Sequence, residues 1–259
     1  MDLISIYLFA IGACIGSFLN VCIYRLPEEK SIISPPSHCP YCKNKLKWYH
    51  NIPILSYIFL RGKCAFCGKK ISIRYFVVEF LAGIFLIINY NIYRFSFDFF
   101  FYSIFIYLLL IVIFADLKYM IIPDEVSIGG IIAGFVLSFF SNSITFKDSI
   151  IGIIIGGGIL YLVIILYYFA TKKEGMGGGD VKLLAMIGAF LGYKSILFVI
   201  FAGSLIGTLI GVPFMLIKGK DKNFAIPFGP FLSIAAIIYL YEGEKILNWY
   251  LNLFTNNFH

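Results

Sequence analysis

The stretch SIIGIIIGGGILYLVIILYYFA, residues 149–170, contains no charged side chain and is as long as the ~20 residues that cross a bilayer as a helix. The whole chain shares this character. Of its 259 residues, 60% are hydrophobic and only 14% are charged, and the mean hydropathy is +0.90. Soluble domains contain about 25% charged residues. The composition excludes an ordinary soluble enzyme, a disordered protein and a disulfide-stapled secreted domain, and it predicts several membrane spans.

Apolar runs define the expected spans. The first, residues 3–24, follows Asp2 and ends before Arg25 without a cleavage site, so we expect an uncleaved span. Further runs cover 73–92, 97–116, 125–141, 149–170, 181–193, 195–217 and 224–241. This pattern predicts an all-α polytopic membrane protein of about eight transmembrane helices. The runs 125–141 and 181–193 are short, which favours broken or tilted helices.

Polar segments set the expected domain boundaries. Residues 1–26 form the first span, 27–72 form a small cytoplasmic loop domain with four cysteines, and 73–241 form the main bundle of spans. The tail, 242–259, mixes aromatic and aliphatic side chains with polar ones, which predicts an interfacial amphipathic segment. No internal repeat is visible.

The distribution of basic residues sets the orientation. With the N-terminus outside, all but four of the 21 Lys and Arg residues lie on the cytoplasmic side; the exceptions are Arg94, Lys147, Lys194 and Lys245. The positive-inside rule therefore places the first loop in the cytoplasm. The net charge of +7 reflects this bias, together with attraction to anionic lipid heads, and requires no nucleic-acid partner.

Four cysteines in the first loop have the spacing of a zinc site. The strings HCPYC and GKCAFCG place Cys39, Cys42, Cys64 and Cys67 as two CxxC pairs with 21 residues between them. Each pair offers two thiolates from one tight turn, which suits tetrahedral Zn²⁺. A reducing cytosol disfavours disulfides, while a thiol-redox pair or an iron–sulfur site remains an alternative. The expected zinc is structural, because it lets a small loop fold without a large core.

Three of the 14 acidic residues fall at membrane depth: Glu79, Asp116 and Asp180. An ionisable side chain there is costly and favours a functional site, although helix packing is the alternative for each. Asp116 and Asp180 both lie at cytoplasmic ends of spans, where they can meet. Two adjacent carboxylates share a proton, so one acts as a base toward water while the other polarises an amide carbonyl. This pair predicts aspartic-protease chemistry.

The sequence around each aspartate adds detail. Asp180 ends the string GMGGGD, residues 175–180, whose missing side chains would let a substrate backbone approach the carboxylate. A flexible loop followed by a helix is the alternative. Asp116 opens DLKYMIIPD, residues 116–124, in which Pro123 ends one element and Asp124 is expected to cap the next helix.

Ordered motifs over nearly the whole chain resemble those of bacterial type IV prepilin leader peptidases, which are GxGD membrane aspartic proteases. Besides CPYC and GKCAFC they are GSFLNVCIYRLP (16–27), NIPILSY (51–57), ISIRYFVVE (71–79), DLKYMIIPD (116–124), KEGMGGGDVKLLAMIGAFLG (173–192) and IPFGPFL (226–232). The resemblance implies that Asp116 and Asp180 are catalytic and that 73–241 is the peptidase bundle. It also implies cleavage of prepilin-like precursors after a Gly, on the cytoplasmic side of the bacterial inner membrane.

The resemblance implies a second activity, methylation of the new N-terminal residue with S-adenosylmethionine as donor. No GxGxxG motif marks a methyl-donor site. The supporting or methyl-transfer candidates are Glu79, Gly177, Gly179 and Lys182, and for Glu79 an ion pair with Arg74 is the alternative. Two positions depart from the family pattern: Phe76 stands where members often have Pro, and Gly178 makes a run of three glycines. Neither replaces a candidate catalytic group.

An ion or metal transporter is the alternative function. It would also use buried carboxylates, broken helices and a cytoplasmic zinc-sensing loop. Transporters often show two pseudo-symmetric halves, and this sequence shows none. A non-enzymatic assembly subunit, the third possibility, would not need paired acids behind glycines.

Overall fold

The chain folds as an all-α protein, as the sequence predicts. A computed structural model describes residues 2–172, 177–218 and 226–255, and these residues form no β-strand. In chain order the helices are α1 (Leu3–Arg25), α2 (Leu55–Phe59), α3 (Arg74–Tyr93), α4 (Phe97–Tyr119), α5 (Asp124–Ser138), α6 (Phe146–Thr171), α7 (Gly178–Leu191), α8 (Lys194–Lys218) and α9 (Gly229–Thr255).

Each of the eight expected apolar runs contains a helix, but the helices differ in length. Within the described residues five of them, α1, α3, α4, α6 and α8, are long and apolar enough to cross a membrane. α5 and α7 have only 15 and 14 residues. At about 1.5 Å per residue, α7 covers about 21 Å, less than the ~30 Å hydrocarbon core. α9 begins with a shorter apolar part and continues unbroken to Thr255, through most of the expected tail.

The chain forms two compact units, Met1–Ile111 and Val112–His259, with the boundary inside α4. In the first unit, glycines bring α1 and α3 close together. A Cβ at Gly12 would stand 2.7 Å from the backbone oxygen of Ala82, and one at Gly16 would stand 2.7 Å from the Cα of Glu79. Small residues allow such close approach between membrane helices. The backbone of α3 at Glu79 therefore lies directly against α1.

In the second unit, α6 and α7 touch backbone to backbone. Gly152 of α6 faces Gly188 of α7, and neither position has room for a Cβ. The Oγ of Ser149 donates to the backbone oxygen of Ala189 at 2.8 Å. Contact through glycines sets the separation of the two helices, and this hydrogen bond sets their register. The first turn of α7, which carries Asp180, is positioned by this pairing.

Candidate active site and four-cysteine cluster

Asp116 lies in the last turn of α4 and is 5% exposed. Its carboxylate accepts a hydrogen bond from the backbone N–H of Gly229, the first residue of α9. α4 ends soon afterwards, where Met120 adopts a left-handed φ of 55° and Pro123 precedes α5. The N-terminus of α9 carries the positive end of the helix dipole, which stabilises a carboxylate. The start of α9 thus provides the Asp116 carboxylate with a hydrogen-bond donor.

Asp180 is the third residue of α7 and is partly buried. Its carboxylate is close enough to Asp116 for the two charges to interact. The sequence therefore correctly predicts that the two aspartates meet. Gly175 and Met176 of the glycine-rich string lie outside the described residues. Of the remaining glycines, a Cβ at Gly178 would meet no atom within 4 Å, whereas one at Gly179 would stand 3.2 Å from Ile122.

Both aspartates line one cavity of about 810 Å³ in the second unit. Most of its wall is apolar and comes from the segment after α4, from α6 and from the segment before α9: Met120, Ile121, Ile122, Val163, Ile164, Tyr167, Ile226, Pro227 and Phe228. Gly177, Gly179 and Asp124 complete the described lining. Carboxylates in such surroundings are poorly hydrated, which favours one shared proton over two charges.

Asp124 has a different role from the one expected. α5 begins at Asp124 itself, Pro123 holds the N-cap position, and no side chain caps that end. The Asp124 carboxylate instead accepts a hydrogen bond from Nζ of Lys182 at 2.6 Å. The expected cap is wrong because Asp124 is the first residue inside the helix and does not stand at its N-cap. Both side chains are substantially exposed, so the pair contributes at most about 1 kcal/mol, but it joins the starts of α5 and α7.

Gly229 was not among the predicted site residues. A Cβ there would stand 2.7 Å from Oδ2 of Asp116 and 3.0 Å from Cδ1 of Ile122. A local signal exists in the string PFGPF, because proline is favoured in the first turn of a helix and marks a helix start after the glycine. Its position opposite Asp116 depends on contacts more than 100 residues apart, which spacing does not reveal.

The four cysteines of the first unit come together as predicted. One ligand atom from each of Cys39, Cys42, Cys64 and Cys67 lies within 4.8 Å of the others, and Sγ of Cys39 is 3.9 Å from Sγ of Cys67. Zn–S bonds of about 2.3 Å in a tetrahedron separate the sulfurs by about 3.8 Å. The cluster therefore fits a metal ion, and all four thiols are free of disulfides.

The two CxxC turns have the same backbone geometry. In the first, N of Lys43 donates to O of Cys39; in the second, N of Gly68 donates to O of Cys64, each at 2.9 Å. Lys43 and Gly68 both have left-handed φ values, 60° and 67°. Backbone N–H groups of Cys67 and Phe66 lower the pKa of Cys64 to about 7, which favours the thiolate that binds metal.

Glu79 belongs to the first unit, whereas the two aspartates belong to the second. It is 7% exposed, and its carboxylate accepts hydrogen bonds from the backbone N–H of Ile54 at 2.7 Å and from Ser17. Among the described ion pairs none joins Glu79 to Arg74.

Ile54, which contacts Glu79, is the centre of a γ-turn. Its φ is 63° and its ψ is −54°, and the backbone N–H of Leu55 donates to the backbone oxygen of Pro53 at 2.6 Å. This turn is strained for a β-branched residue.

An all-helical membrane protein with two carboxylates in one apolar cavity has the features of a membrane aspartic peptidase. Residues 10–93 match the bacterial peptidase A24 N-terminal domain, and residues 103–212 match the type IV leader peptidase family. The chain belongs to the type IV leader peptidase family. No solved structure matches it.

Three relatives carry the name prepilin leader peptidase/N-methyltransferase. The Myxococcus xanthus protein is 35% identical over 84% of this chain and 65% of its own length. The Xanthomonas campestris protein is 35% identical over 93% of this chain and 92% of its own length. The Aeromonas hydrophila protein is 32% identical over 95% of this chain and 93% of its own length. The transporter alternative finds no support among these relatives.

Proposed function

We propose that this chain is an aspartic endopeptidase that removes the leader from type IV prepilin-like precursors and then methylates the new N-terminus. The observation that carries the peptidase is the pair Asp116 and Asp180 in one apolar cavity. The names of the relatives supply the substrate class and the second activity. Incubating the purified chain with a prepilin and measuring the product masses tests both.

The two aspartates divide the work of hydrolysis. Asp116, stabilised as an anion by the Gly229 N–H, takes a proton from water, while Asp180 gives its proton to the scissile carbonyl oxygen. The water oxygen bonds to the carbonyl carbon. Asp116 then protonates the leaving nitrogen, the C–N bond breaks, and Asp180 regains its proton from the diol. The dyad ends as it began, with one proton.

The glycines and the apolar wall act on the substrate. Gly177 and Gly178 leave open space beside Asp180, so an extended peptide backbone can lie against the carboxylate. Apolar side chains of α6 and of the segment before α9 are suited to hydrophobic residues next to the scissile bond. Lys182 and Asp124 act as positioning residues, because their pair ties the start of α7 to the start of α5.

Zinc is the proposed metal of the four-cysteine cluster. The cytoplasmic environment keeps thiols reduced, and four thiolates favour Zn²⁺ in a closed, structural site. Cys39, Cys42, Cys64 and Cys67 would hold it, cross-linking two turns of the domain 27–72. Zinc there takes no part in hydrolysis.

Methyl transfer is assigned to the first unit. When bound, S-adenosylmethionine supplies an electrophilic methyl group. Glu79 is the proposed residue that holds the substrate's new N-terminal amine, since it is a buried carboxylate without an ion-pair partner among the described residues. The enzyme is placed in the bacterial inner membrane, with the active site and the cysteine loop facing the cytoplasm, as the basic residues indicate.

A further inference from the structure

The short helix α2, in the loop that carries the four cysteines, has an exposed apolar face. Leu55, Ile58 and Phe59 stand at positions i, i+3 and i+4, so they share one side of the helix. All three are exposed, and Phe59 is exposed by 80%. Tyr57, on another side of the helix, is half-buried. Large apolar side chains grouped on one open face indicate a surface that interacts with another apolar surface.

Contacts between the loop and α3 set the level of α2 along that membrane helix. The N–H of Ile54, the residue before α2, donates to the Glu79 carboxylate at 2.7 Å, and the ring centroids of Tyr57 and Phe76 are 5.7 Å apart. Phe76 and Glu79 are the third and sixth residues of α3. At about 1.5 Å per residue they lie about 3 Å and 7.5 Å from the start of the helix. α2 therefore lies beside the first two turns of α3 and not beyond its end.

The length of α3 relates this level to the bilayer. α3 has 20 residues, all within a candidate membrane span. Its length of about 30 Å equals the thickness of the hydrocarbon core, so α3 needs all its turns to cross. Its first two turns then lie at the cytoplasmic edge of the hydrocarbon core. The open face of α2, at the same level, is positioned to meet lipid.

The charge of the loop favours a negatively charged partner. Residues 27–72 contain eight basic and two acidic side chains: Lys30, Lys43, Lys45, Lys47, Arg61, Lys63, Lys69 and Lys70 against Glu28 and Glu29. Arg61 and Lys63 follow α2 directly, both are exposed, and neither takes part in a described ion pair. Anionic phospholipids attract basic side chains at the membrane surface. Such lipids offer phosphates to Arg61 and Lys63 and acyl chains to the apolar face.

We propose that α2 anchors the four-cysteine domain to the cytoplasmic leaflet of an anionic bilayer. Leu55, Ile58 and Phe59 insert between the lipids, and Arg61 and Lys63 contact phosphates. An apolar face flanked by basic residues is typical of interfacial helices. Lipid then holds the domain in place, in addition to its two connections to α1 and α3. The anchor takes no part in peptide hydrolysis or methyl transfer, so its test measures lipid contact alone.

Fluorescence quenching of the full chain in nanodiscs tests the anchor. The two tryptophans, Trp48 and Trp249, are first replaced by phenylalanine, and Phe59→Trp is added. Phosphatidylglycerol with brominated acyl chains should lower the fluorescence by about half or more, because the ring lies about 5–10 Å into the boundary of headgroups and acyl chains. Iodide in the buffer should quench it weakly. Phosphatidylcholine discs should give weaker bromine quenching.

Two matched variants serve as controls. Ile33→Trp in the same background probes a residue that is 88% exposed in the same loop. Its segment is held at the very end of α1, where Arg25 donates to the backbone oxygens of Ser31 and Pro35, so iodide should quench it more and bromine less.

The charge control compares two pairs of substitutions. Arg61→Gln with Lys63→Gln should remove the difference between the two lipids at position 59. Lys147→Gln with Lys194→Gln removes the same charge from the side expected to lie outside, and it should leave the difference unchanged.

Three outcomes would overturn the proposal. Strong iodide quenching without bromine quenching at position 59 would place the face in water, open to a protein partner. Protection from both quenchers would show that protein covers it, for example a second copy of the chain. Equal bromine quenching in the two lipids would remove the anionic headgroup. Photolabelling the unmodified chain with a lipid that carries a diazirine on its acyl chain needs no substitution, and absence of label on the peptide of α2 would also overturn the anchor.

Discussion

The backbone N–H of Gly229 donates to the carboxylate of Asp116, and a Cβ on Gly229 would stand 2.7 Å from Oδ2 of that aspartate. At this distance the α-carbon of residue 229 can carry a hydrogen atom but no larger group. The start of α9 therefore restricts the position of one member of the dyad.

Gly229→Ala should lower kcat for prepilin cleavage by about 10–100-fold, because the added methyl group displaces the Asp116 carboxylate from the position in which it activates the attacking water. KM should change little, since the apolar walls of the cavity stay intact. Steady-state cleavage of a prepilin peptide measures both constants. Gly158→Ala is the control, because a Cβ there would meet nothing within 4 Å. Equal losses in the two variants would show that damage to the bundle, not to Asp116, is responsible.

Asp116→Asn and Asp180→Asn should each abolish cleavage, because the pair of side chains then no longer contains both a base and an acid. Asp124→Asn should retain substantial activity, because its exposed pair with Lys182 contributes little energy and an amide oxygen still accepts from the lysine. Product masses after a fixed incubation give the comparison. Wild-type turnover in either of the first two variants would remove the dyad assignment.

Metal analysis should find one zinc per chain. Cys→Ser at any of the four positions should lower that occupancy and expose the loop to proteases, and acidification should release the metal because protons compete for the thiolates. The bundle need not unfold, since its helix contacts lie elsewhere. Metal-free protein with a protease-resistant loop would contradict the zinc assignment.

Gly68→Ala should weaken zinc binding, because alanine is disfavoured at φ 67°, whereas Lys43→Gly should preserve or slightly strengthen it at φ 60°. Space is not the cause, since a Cβ at Gly68 meets no atom within 4 Å. Competition with a zinc-binding dye compares the two variants. Only Gly68→Ala should weaken binding, and equal losses in the two variants would show that the two turns are not equivalent.

The two activities should separate. Asp180→Asn should still methylate a pre-cleaved pilin, because hydrolysis needs an acid–base pair and methyl transfer does not. Glu79→Gln should keep cleavage and lose most methylation, measured as labelled methyl transferred from S-adenosylmethionine. Loss of methylation in a folded Asp180→Asn chain would mean that the two reactions share one site.

Local spacing predicts much of this molecule. The apolar runs locate the helices, the two CxxC pairs locate the cluster, and the two aspartates meet as their positions at helix ends predict. The residues that contact the acidic side chains were not predicted. The contact of Ile54 with Glu79 depends on how the first loop packs on α3. The contacts of Gly229 with Asp116 and of Lys182 with Asp124 depend on how helices are rotated against one another. That rotation is set by packing over distances that sequence periodicity does not encode.

The glycine contact between α6 and α7 also limits how the cavity can admit a peptide. Where the backbones touch, at Gly152 and Gly188, no side chain stands between the two helices that could change rotamer and let them separate. The Ser149 bond to Ala189 opposes sliding along the helix axes. The wall formed by Val163, Ile164 and Tyr167 therefore lies on a helix that is held tightly against the helix of Asp180. At Ile226–Phe228 the cavity wall is instead non-helical backbone, and we expect a bulky precursor to gain access on that side.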